Sequence, residues 1–217
     1  VDKKELGTEN LEALAKGIKN LEKHIENIAK YNLPSVVAIN AFPTDSEAEL
    51  QLLKDTCNKM GVDVAISKVW EKGADGGIEL AEKLLEILDT KEANYQPLYD
   101  LNLSIKEKIE TIAKEIYGAD GVAFDKKVLT KMKKYEAQGL ADLPICVAKT
   151  QYSLSDQPTL LGRPSGFTIK INDLIPSAGA GFLVAISGSI MRMPGLPKRP
   201  AAVNMDIDKD GKIVGLF

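Results

Sequence analysis

The stretch that most constrains the fold of this chain is residues 36–45, which read Val-Val-Ala-Ile-Asn-Ala-Phe-Pro-Thr-Asp. Its apolar run, rich in β-branched Val and Ile, predicts a short strand buried on both faces, and such strands belong to parallel sheets covered by helices. Asn40 ends the run, and the following Phe42-Pro43 fits neither a helix interior nor a ladder. Ligands of open α/β sheets bind beyond the carboxyl ends of strands, so Asn40, Phe42 and Pro43 are candidate site residues.

Helices and strands alternate around this stretch. Residues 8–31 carry apolar residues at steps of three and four, which predicts an amphipathic helix. Thr44-x-x-Glu47 has the spacing of a capping box, and the helix that it opens is predicted to end at Gly61 before a second strand. The first two strands and this helix form a β-α-β unit. Since a crossover helix normally follows a strand of its own, the helix at 8–31 suggests that a strand upstream is missing.

The second half of the chain is predicted to contain more strands and loops. A connection over residues 89–103 leads to a capping box at Ser104-x-x-Glu107. The remaining predicted elements are buried strands at 144–149 and 182–186, a half-buried strand at 167–171, a proline-rich loop at 193–200, and a hairpin of 203–207 with 213–217. We therefore predict an α/β fold with parallel-sheet β-α-β units and flanking helices, followed by a more strand- and loop-rich C-terminal region. The expected division is 1–94 and 95–217.

Charge and hydropathy exclude several classes of protein. The 217 residues carry a formal net charge of −3 with acidic and basic residues interspersed, which gives no basic surface for nucleic acid. No apolar run approaches the length of about 20 residues that a membrane span needs, and the N-terminal helix is not a signal peptide. Cys57 and Cys146 form no C-x-x-C pair, so a reduced, cytoplasmic setting is expected.

Two large aromatic residues follow the two strands of the β-α-β unit. Phe42 comes just after the first strand, and Trp70 comes just after the second, before a glycine-rich loop at 71–77. A flat heteroaromatic ligand held between them would gain roughly 1–3 kcal/mol per stacked face, by analogy with bases on aromatic platforms. The alternative is that both side chains are core residues.

Lys149 and Thr150 follow the strand at 144–149. A lysine at a strand tip reaches a ligand as a point charge, so these two residues form a candidate anion contact. The alternative is a solvated lysine.

His24, the single histidine, lies beside charged residues of the first helix and is interpreted as an ordinary surface residue.

Other motifs fail on spacing. Asp206-x-Asp208-x-Asp210-Gly211 opens like a calcium loop, but its twelfth position is Phe217. The glycines of the run 179–181 precede a strand instead of following it, which favours a tight turn over a dinucleotide fingerprint. Asn40 and Asp45 are two residues too far apart for the base-reading motif of phosphate-loop GTPases. The sequence contains no G-x-x-x-x-G-K-[ST] phosphate loop, no serine triad and no metal-ligand cluster, so we assign no catalytic residue and no metal site.

Six segments together closely resemble formate–tetrahydrofolate ligase, also called formyltetrahydrofolate synthetase. They are 36–45, Val69-Trp70 with the glycine-rich loop, Ile116-Tyr-Gly-Ala-Asp-Gly-Val122, Leu143-Pro-Ile-Cys-Val-Ala-Lys-Thr-Gln-Tyr-Ser153, Ser177-Ala-Gly-Ala-Gly-Phe182 and Met193-Pro-Gly-Leu-Pro197. The resemblance runs in order over essentially the whole chain.

The resemblance implies a function and a place in a longer enzyme. Members of the family condense formate with tetrahydrofolate, using ATP with Mg²⁺ and a formyl phosphate intermediate, to give 10-formyltetrahydrofolate. Their phosphate-binding loop lies in an N-terminal half that is absent from this sequence, so the chain is expected to be the C-terminal part and inactive alone. The resemblance further implies a homotetramer, and it implies that Phe42, Pro43 and Trp70 bracket the folate ring. A non-catalytic folate-binding or scaffolding α/β module is the alternative.

Overall fold

The computed structural model describes residues 1–2, 5–188, 190, 198–211 and 213–215. The elements follow in the order α1 (Leu11–Ala29), β1 (Val36–Asn40), α2 (Glu47–Lys59), β2 (Asp63–Ser67), α3 (Val69–Lys72), α4 (Ile78–Thr90), α5 (Ile105–Glu115), β3 (Gly121–Phe124), α6 (Lys126–Ala137), β4 (Ile145–Ala148), β5 (Thr168–Ser177), β6 (Phe182–Ser187), β7 (Asp206–Ile207) and β8 (Ile213–Val214). Short 3₁₀ helices occupy Gly73–Gly77, Ala178–Ala180 and Ala201–Asn204. The predicted α/β class is confirmed. Most of the predicted proline-rich loop, residues 193–197, lies outside the described residues.

The first sheet is the predicted β-α-β unit. β1 and β2 are parallel, and their register runs from Val36 opposite Asp63 to Asn40 opposite Ser67. The intervening α2 begins later than expected, because the capping box consists of Ser46 and Glu49 rather than Thr44 and Glu47. The chain first closes a turn, in which the amide of Asp45 donates to the carbonyl of Phe42 at 3.0 Å. The first residue available to cap the helix is therefore Ser46.

The prediction that β1 is buried on both faces is wrong. One face packs against α2, where buried Ile39 joins Leu50 and Leu53. On the other face Ala38 is exposed, because α4 lies mainly over β2 and covers little of β1. An apolar run thus identified the strand but not how its two faces are covered.

The second sheet has the order β3-β5-β6-β4 and is mixed. β3 is parallel to β5 and β4 is parallel to β6, whereas β5 and β6 are antiparallel. The turn between β5 and β6 contains Gly181 at φ 77°, so the expected tight turn at the glycine run is confirmed. β5 alternates buried and exposed residues as predicted but extends well past 171, to Ser177.

One face of this sheet forms the main core with α5 and α6. The buried residues of the core include Ile105, Ile109, Val128, Met132, Leu174 and Leu183. Full burial of β4 was predicted wrongly: Ile145 and Val147 pack against this core, but Cys146 points to the opposite face and is exposed. β4 is an edge strand, and alternate side chains of a strand point to opposite faces.

Helix α1 connects the two halves of the chain. The ammonium of Lys23 donates to the carbonyl of Glu115 at 2.7 Å, and the Asn27 amide donates to the carbonyl of Ile116 at 2.9 Å. These are carbonyls at the C-terminus of α5, which have no partner within their own helix. The predicted helix at 8–31 is confirmed with slightly shorter bounds, and one of its roles is to cap a helix of the other half.

The predicted C-terminal hairpin is confirmed in part. β7 and β8 pair antiparallel, with Asp206 opposite Val214 and Ile207 opposite Ile213. β7 is shorter than the predicted 203–207, since Val203 belongs to a 3₁₀ helix. Residues 216 and 217 of the predicted second strand lie outside the described residues. Within the described part of the chain, no helix is long and apolar enough to cross a membrane.

Candidate functional site

The carboxyl ends of β1 and β2 lie side by side. Asn40 is opposite Ser67, and the amide of Ala41 continues the ladder by donating to the carbonyl of Ser67 at 3.0 Å. The chain segments that leave the two strands therefore start from the same edge of the sheet. This is the edge at which a ligand site is expected in an α/β sheet.

A tight turn orients the aromatic residue at the tip of β1. The Phe42 amide donates to Oδ2 of Asp45 at 2.8 Å, while the Asp45 amide donates back to the Phe42 carbonyl at 3.0 Å. Pro43, which needs no donor partner of its own, lies exposed inside this turn. The reciprocal bonds fix the backbone on both sides of Phe42 and Pro43.

A second turn holds Trp70 at the tip of β2. Trp70 belongs to the one-turn helix α3, which also includes Glu71 and Lys72 of the predicted glycine-rich loop. The amide of Lys72 donates to the carbonyl of Lys68 at 2.9 Å. The amide of Lys68 in turn donates to the carbonyl of Gly76 at 2.9 Å. A Cβ at Gly76 would lie 2.3 Å from the carbonyl carbon and oxygen of Lys68, so only glycine permits this approach.

The two turns bring the aromatic side chains together. The ring centroids of Phe42 and Trp70 are 6.5 Å apart and the ring planes are inclined at 45°. The exposed fractions are 49% for Phe42 and 75% for Trp70. The alternative that both are core residues is therefore wrong, and the predicted pairing at the strand tips is confirmed as a geometry.

The other candidates at this edge are less closely associated with the aromatic pair. Asn40 is exposed, and it lines a cleft of about 390 Å³ between α1 and α2 together with Asp45 and Glu49. Whether Asn40 contacts a ligand stays a prediction.

Lys149 and Thr150 lie at the tip of β4, in the other sheet. The Lys149 ammonium donates to the backbone carbonyls of Thr150 at 3.0 Å, Ser155 at 3.1 Å, and Ser153. It also lies 4.8 Å from the centroid of the Tyr117 ring, a cation–π geometry. Burial lowers the pKa of Lys149, partly opposed by the carboxylate of Asp156. Lys149 is thus not a solvated lysine, and an anion contact by this pair stays a prediction.

Sequence reasoning missed several residues that shape these places. Asp45 and Gly76 stabilise the two turns. The sequence features that could have indicated them are an Asp three residues after Phe42 and a Gly-Gly pair after Trp70. His24 is exposed as interpreted, but it lines a cleft with Lys149 that no local pattern indicates. In the part of the chain that the structure describes, no group of three or more His, Cys, Asp or Glu side chains could hold a metal ion.

Comparison with known protein families gives a match that includes both the aromatic pair and the tip of β4. A protein-family model described as formate–tetrahydrofolate ligase matches the chain over residues 1–217. The match includes the aromatic pair, its two turns and the tip of β4.

Proposed function

This chain belongs to the formate–tetrahydrofolate ligase family, and from that premise we propose that it supplies the folate-binding part of an ATP-dependent ligase. The substrate class is a reduced folate, and the product is 10-formyltetrahydrofolate. The observation that carries the proposal is the exposed pair Phe42 and Trp70, which two strand-tip turns bring to a centroid separation of 6.5 Å. Two large exposed aromatic rings at a ligand-binding edge are suited to stacking on a flat ring system.

The ring geometry constrains how folate enters. Carbon atoms in contact lie about 3.5–4.0 Å apart, so a ring held between two parallel rings needs about 7–8 Å between them. The observed 6.5 Å at an inclination of 45° is narrower than this. Trp70, at 75% exposure, has the freedom to rotate outward. We therefore infer that folate binding opens the pair, while the turn at Asp45 keeps Phe42 and Pro43 in place.

The contribution of these residues to the reaction is positioning. In the proposed sequence a formate oxygen attacks the γ-phosphorus of ATP, giving formyl phosphate and ADP. A nitrogen of tetrahydrofolate then attacks the formyl carbon, phosphate leaves, and the nitrogen loses its proton. Phe42, Pro43 and Trp70 hold the folate so that its nitrogen stays near the formyl carbon, which reduces the entropic barrier of the second step.

We propose that ATP and Mg²⁺ bind mainly outside this chain. The sequence has no phosphate loop, and the described residues contain no cluster of metal ligands. We propose that the N-terminal half of the same enzyme binds ATP, that this chain is inactive without it, and that the full enzyme is a cytoplasmic homotetramer of the two-part chain. No step of phosphate chemistry is assigned to residues of this chain. The division at residue 94 likewise stays a proposal, supported by the separation of the two sheets along the sequence.

Trp70 provides the test, because it is the single tryptophan of the sequence. Titration with tetrahydrofolate, under anaerobic conditions and with inner-filter correction, is expected to quench its fluorescence saturably. Phe42→Ala is expected to weaken the apparent affinity at least about fivefold, the equivalent of one lost stacking face of roughly 1–3 kcal/mol.

Tyr95→Ala is the matched control, because it removes an aromatic side chain that is also exposed, at 61%, but lies outside the pair. It should leave the titration unchanged. Equal affinities for wild type and Phe42→Ala would contradict the assignment of the site. Where the chain alone shows no quenching, the same titration is repeated with the N-terminal half present, and absence of quenching there would also contradict it.

A further inference from the structure

A second cleft lies away from the aromatic pair, between α1, the turn after α5 and the loop after β4. Its volume is about 360 Å³, within the range of small-ligand sites, which is about 300–1,000 Å³. Its lining side chains include Asn20 and His24 from α1, Tyr117 from the turn, and Lys149 and Thr150 from the loop. Residues far apart in the sequence thus converge on one small polar concavity.

Among the residues that the structure describes, no carboxylate is in direct contact with the ammonium of Lys149. All three hydrogen bonds of the ammonium go to backbone carbonyls, and a fourth contact is the face of Tyr117. Asp156 influences Lys149 only through the electrostatic field. No Asp or Glu is among the described residues that line the cleft. A partly buried charge of this kind creates a positive potential that favours an anion.

Neutral donors surround the same space. The Thr150 Oγ1 accepts a hydrogen bond from the amide of Tyr152 at 3.3 Å, so its own hydroxyl hydrogen remains available. The Asn20 amide uses one N–H on the carbonyl of Gly162, at 2.9 Å, and has a second. The imidazole of exposed His24 adds a further N–H. An anion in the cleft can therefore receive hydrogen bonds from these side chains while Lys149 supplies positive charge.

We propose that this cleft binds a phosphate-type oxyanion, either inorganic phosphate or a small phosphate monoester, through hydrogen bonds from Thr150, Asn20 and His24 and the charge of Lys149. A tetrahedral oxyanion matches donors that converge from two chain segments, α1 and the loop after β4, and the cleft leaves room for a small organic group. This inference does not depend on folate binding at Phe42 and Trp70. The competing explanation is that Lys149 only clamps its own loop through the carbonyls of Thr150, Ser153 and Ser155.

His24 provides a direct probe of the cleft, because it is the single histidine of the sequence. The position of its Hε1 proton resonance is followed by NMR during titration with inorganic phosphate, at fixed near-neutral pH and constant ionic strength. A saturable shift with a dissociation constant of about 1 mM or lower is expected, and sodium chloride at equal ionic strength should give none. Titration with a small phosphate monoester then decides between the two sources of the phosphate group.

Two variants separate ligand binding from loop clamping. Thr150→Val removes one donor at nearly constant shape and is expected to weaken phosphate binding at least about threefold. Thr130→Val is its control, since Thr130 is an exposed threonine of α6 that bonds the carbonyl of Lys126. Lys149→Met is expected to abolish the saturable shift, with circular dichroism as the check on folding.

The proposal is overturned by a His24 shift that stays linear in phosphate. It is equally overturned by a Thr150→Val chain that binds phosphate as tightly as wild type, whatever Lys149→Met does to folding. If Lys149→Met fails to fold, the phosphate affinity of Thr150→Val alone decides whether the cleft binds phosphate.

Discussion

At the scale of single residues, Asp45 is the side chain whose role depends most on geometry. Its carboxylate is the acceptor for the Phe42 amide, so it determines where the Phe42 ring lies relative to Trp70. Gly76 does the same for Trp70 by allowing the close approach of Lys68. Neither residue contacts a ligand in the proposed function; both are positioning residues.

Replacing Asp45 tests this role. Asp45→Ala removes the acceptor and is expected to speed hydrogen exchange at the Phe42 amide and to weaken folate binding about fivefold, for a lost hydrogen bond of about 1 kcal/mol. Asp45→Asn keeps an acceptor oxygen at the same place and should restore most of the exchange protection. Exchange is measured without ligand, so the positional role can fail independently of the folate site. Unchanged exchange in Asp45→Ala would rule the role out.

At the scale of elements, α1 is attached to the rest of the chain by polar contacts as well as by its buried Ile18 and Ile25. In addition to the two bonds that cap α5, Arg163 makes a bidentate pair with Glu26, with both N–O distances at 2.7 Å. The hydrogen bond from Arg163 is the main reason why the pKa of Glu26 lies below its usual range. Contacts of this kind make the attachment of α1 sensitive to acid.

Glu26→Gln is expected to lower the free energy of unfolding at neutral pH by less than about 1 kcal/mol, because both partners are partly exposed and screened by water. The folded-state pKa is depressed, so the stabilisation is present above the unfolded pKa of about 4.3 and disappears as the pH falls through the folded value. The difference between wild type and variant should therefore shrink on acidification, as measured by urea unfolding at a series of pH values.

The matched control is Glu12→Gln, which removes a pair with Lys16 inside α1, at 2.7 Å. An exposed pair four residues apart in one helix contributes at most about 0.3–0.5 kcal/mol. A stability difference in Glu26→Gln that is constant from neutral to acid pH would show that the ion pair is not its cause.

At the scale of the whole molecule, apolar side chains are distributed unevenly. The mixed sheet buries a continuous core with α5 and α6, and Leu174 and Leu183 are fully buried there. In contrast, α4 buries only Ile87 among its described residues, while Leu85 and Leu88 are exposed at 58% and 67%. We infer that the stability of the chain resides mainly in the mixed sheet and its helices.

Truncating one leucine in each place tests this. Leu174→Ala is expected to cost about 2–5 kcal/mol of unfolding free energy, since it opens a cavity in a packed core. Leu85→Ala should change the value by no more than about 0.5 kcal/mol, because the side chain is already in water. Urea unfolding of both variants gives the comparison. Equal losses would show that α4 packs as tightly as the core.

The sequence by itself determined which segments become helices and strands. Local periodicity and capping patterns located α1, α2 and α5, and short apolar runs located β1, β2, β4 and β6, because these patterns reflect which side chains must leave water. It also indicated Phe42 and Trp70, since the end of an apolar run and the start of a turn are local features. The capping box at Ser104 and the turn at Gly181 followed from the same local chemistry.

Only the tertiary structure decided how those segments cover each other. The exposure of Ala38 and Cys146 depends on where distant elements of the chain lie. The sequence of an apolar strand is the same whether one of its faces or both are covered. The convergence of His24 with Thr150 joins positions more than a hundred residues apart. A local pattern contains no information on such contacts, because the free energy that selects them comes from packing the whole chain.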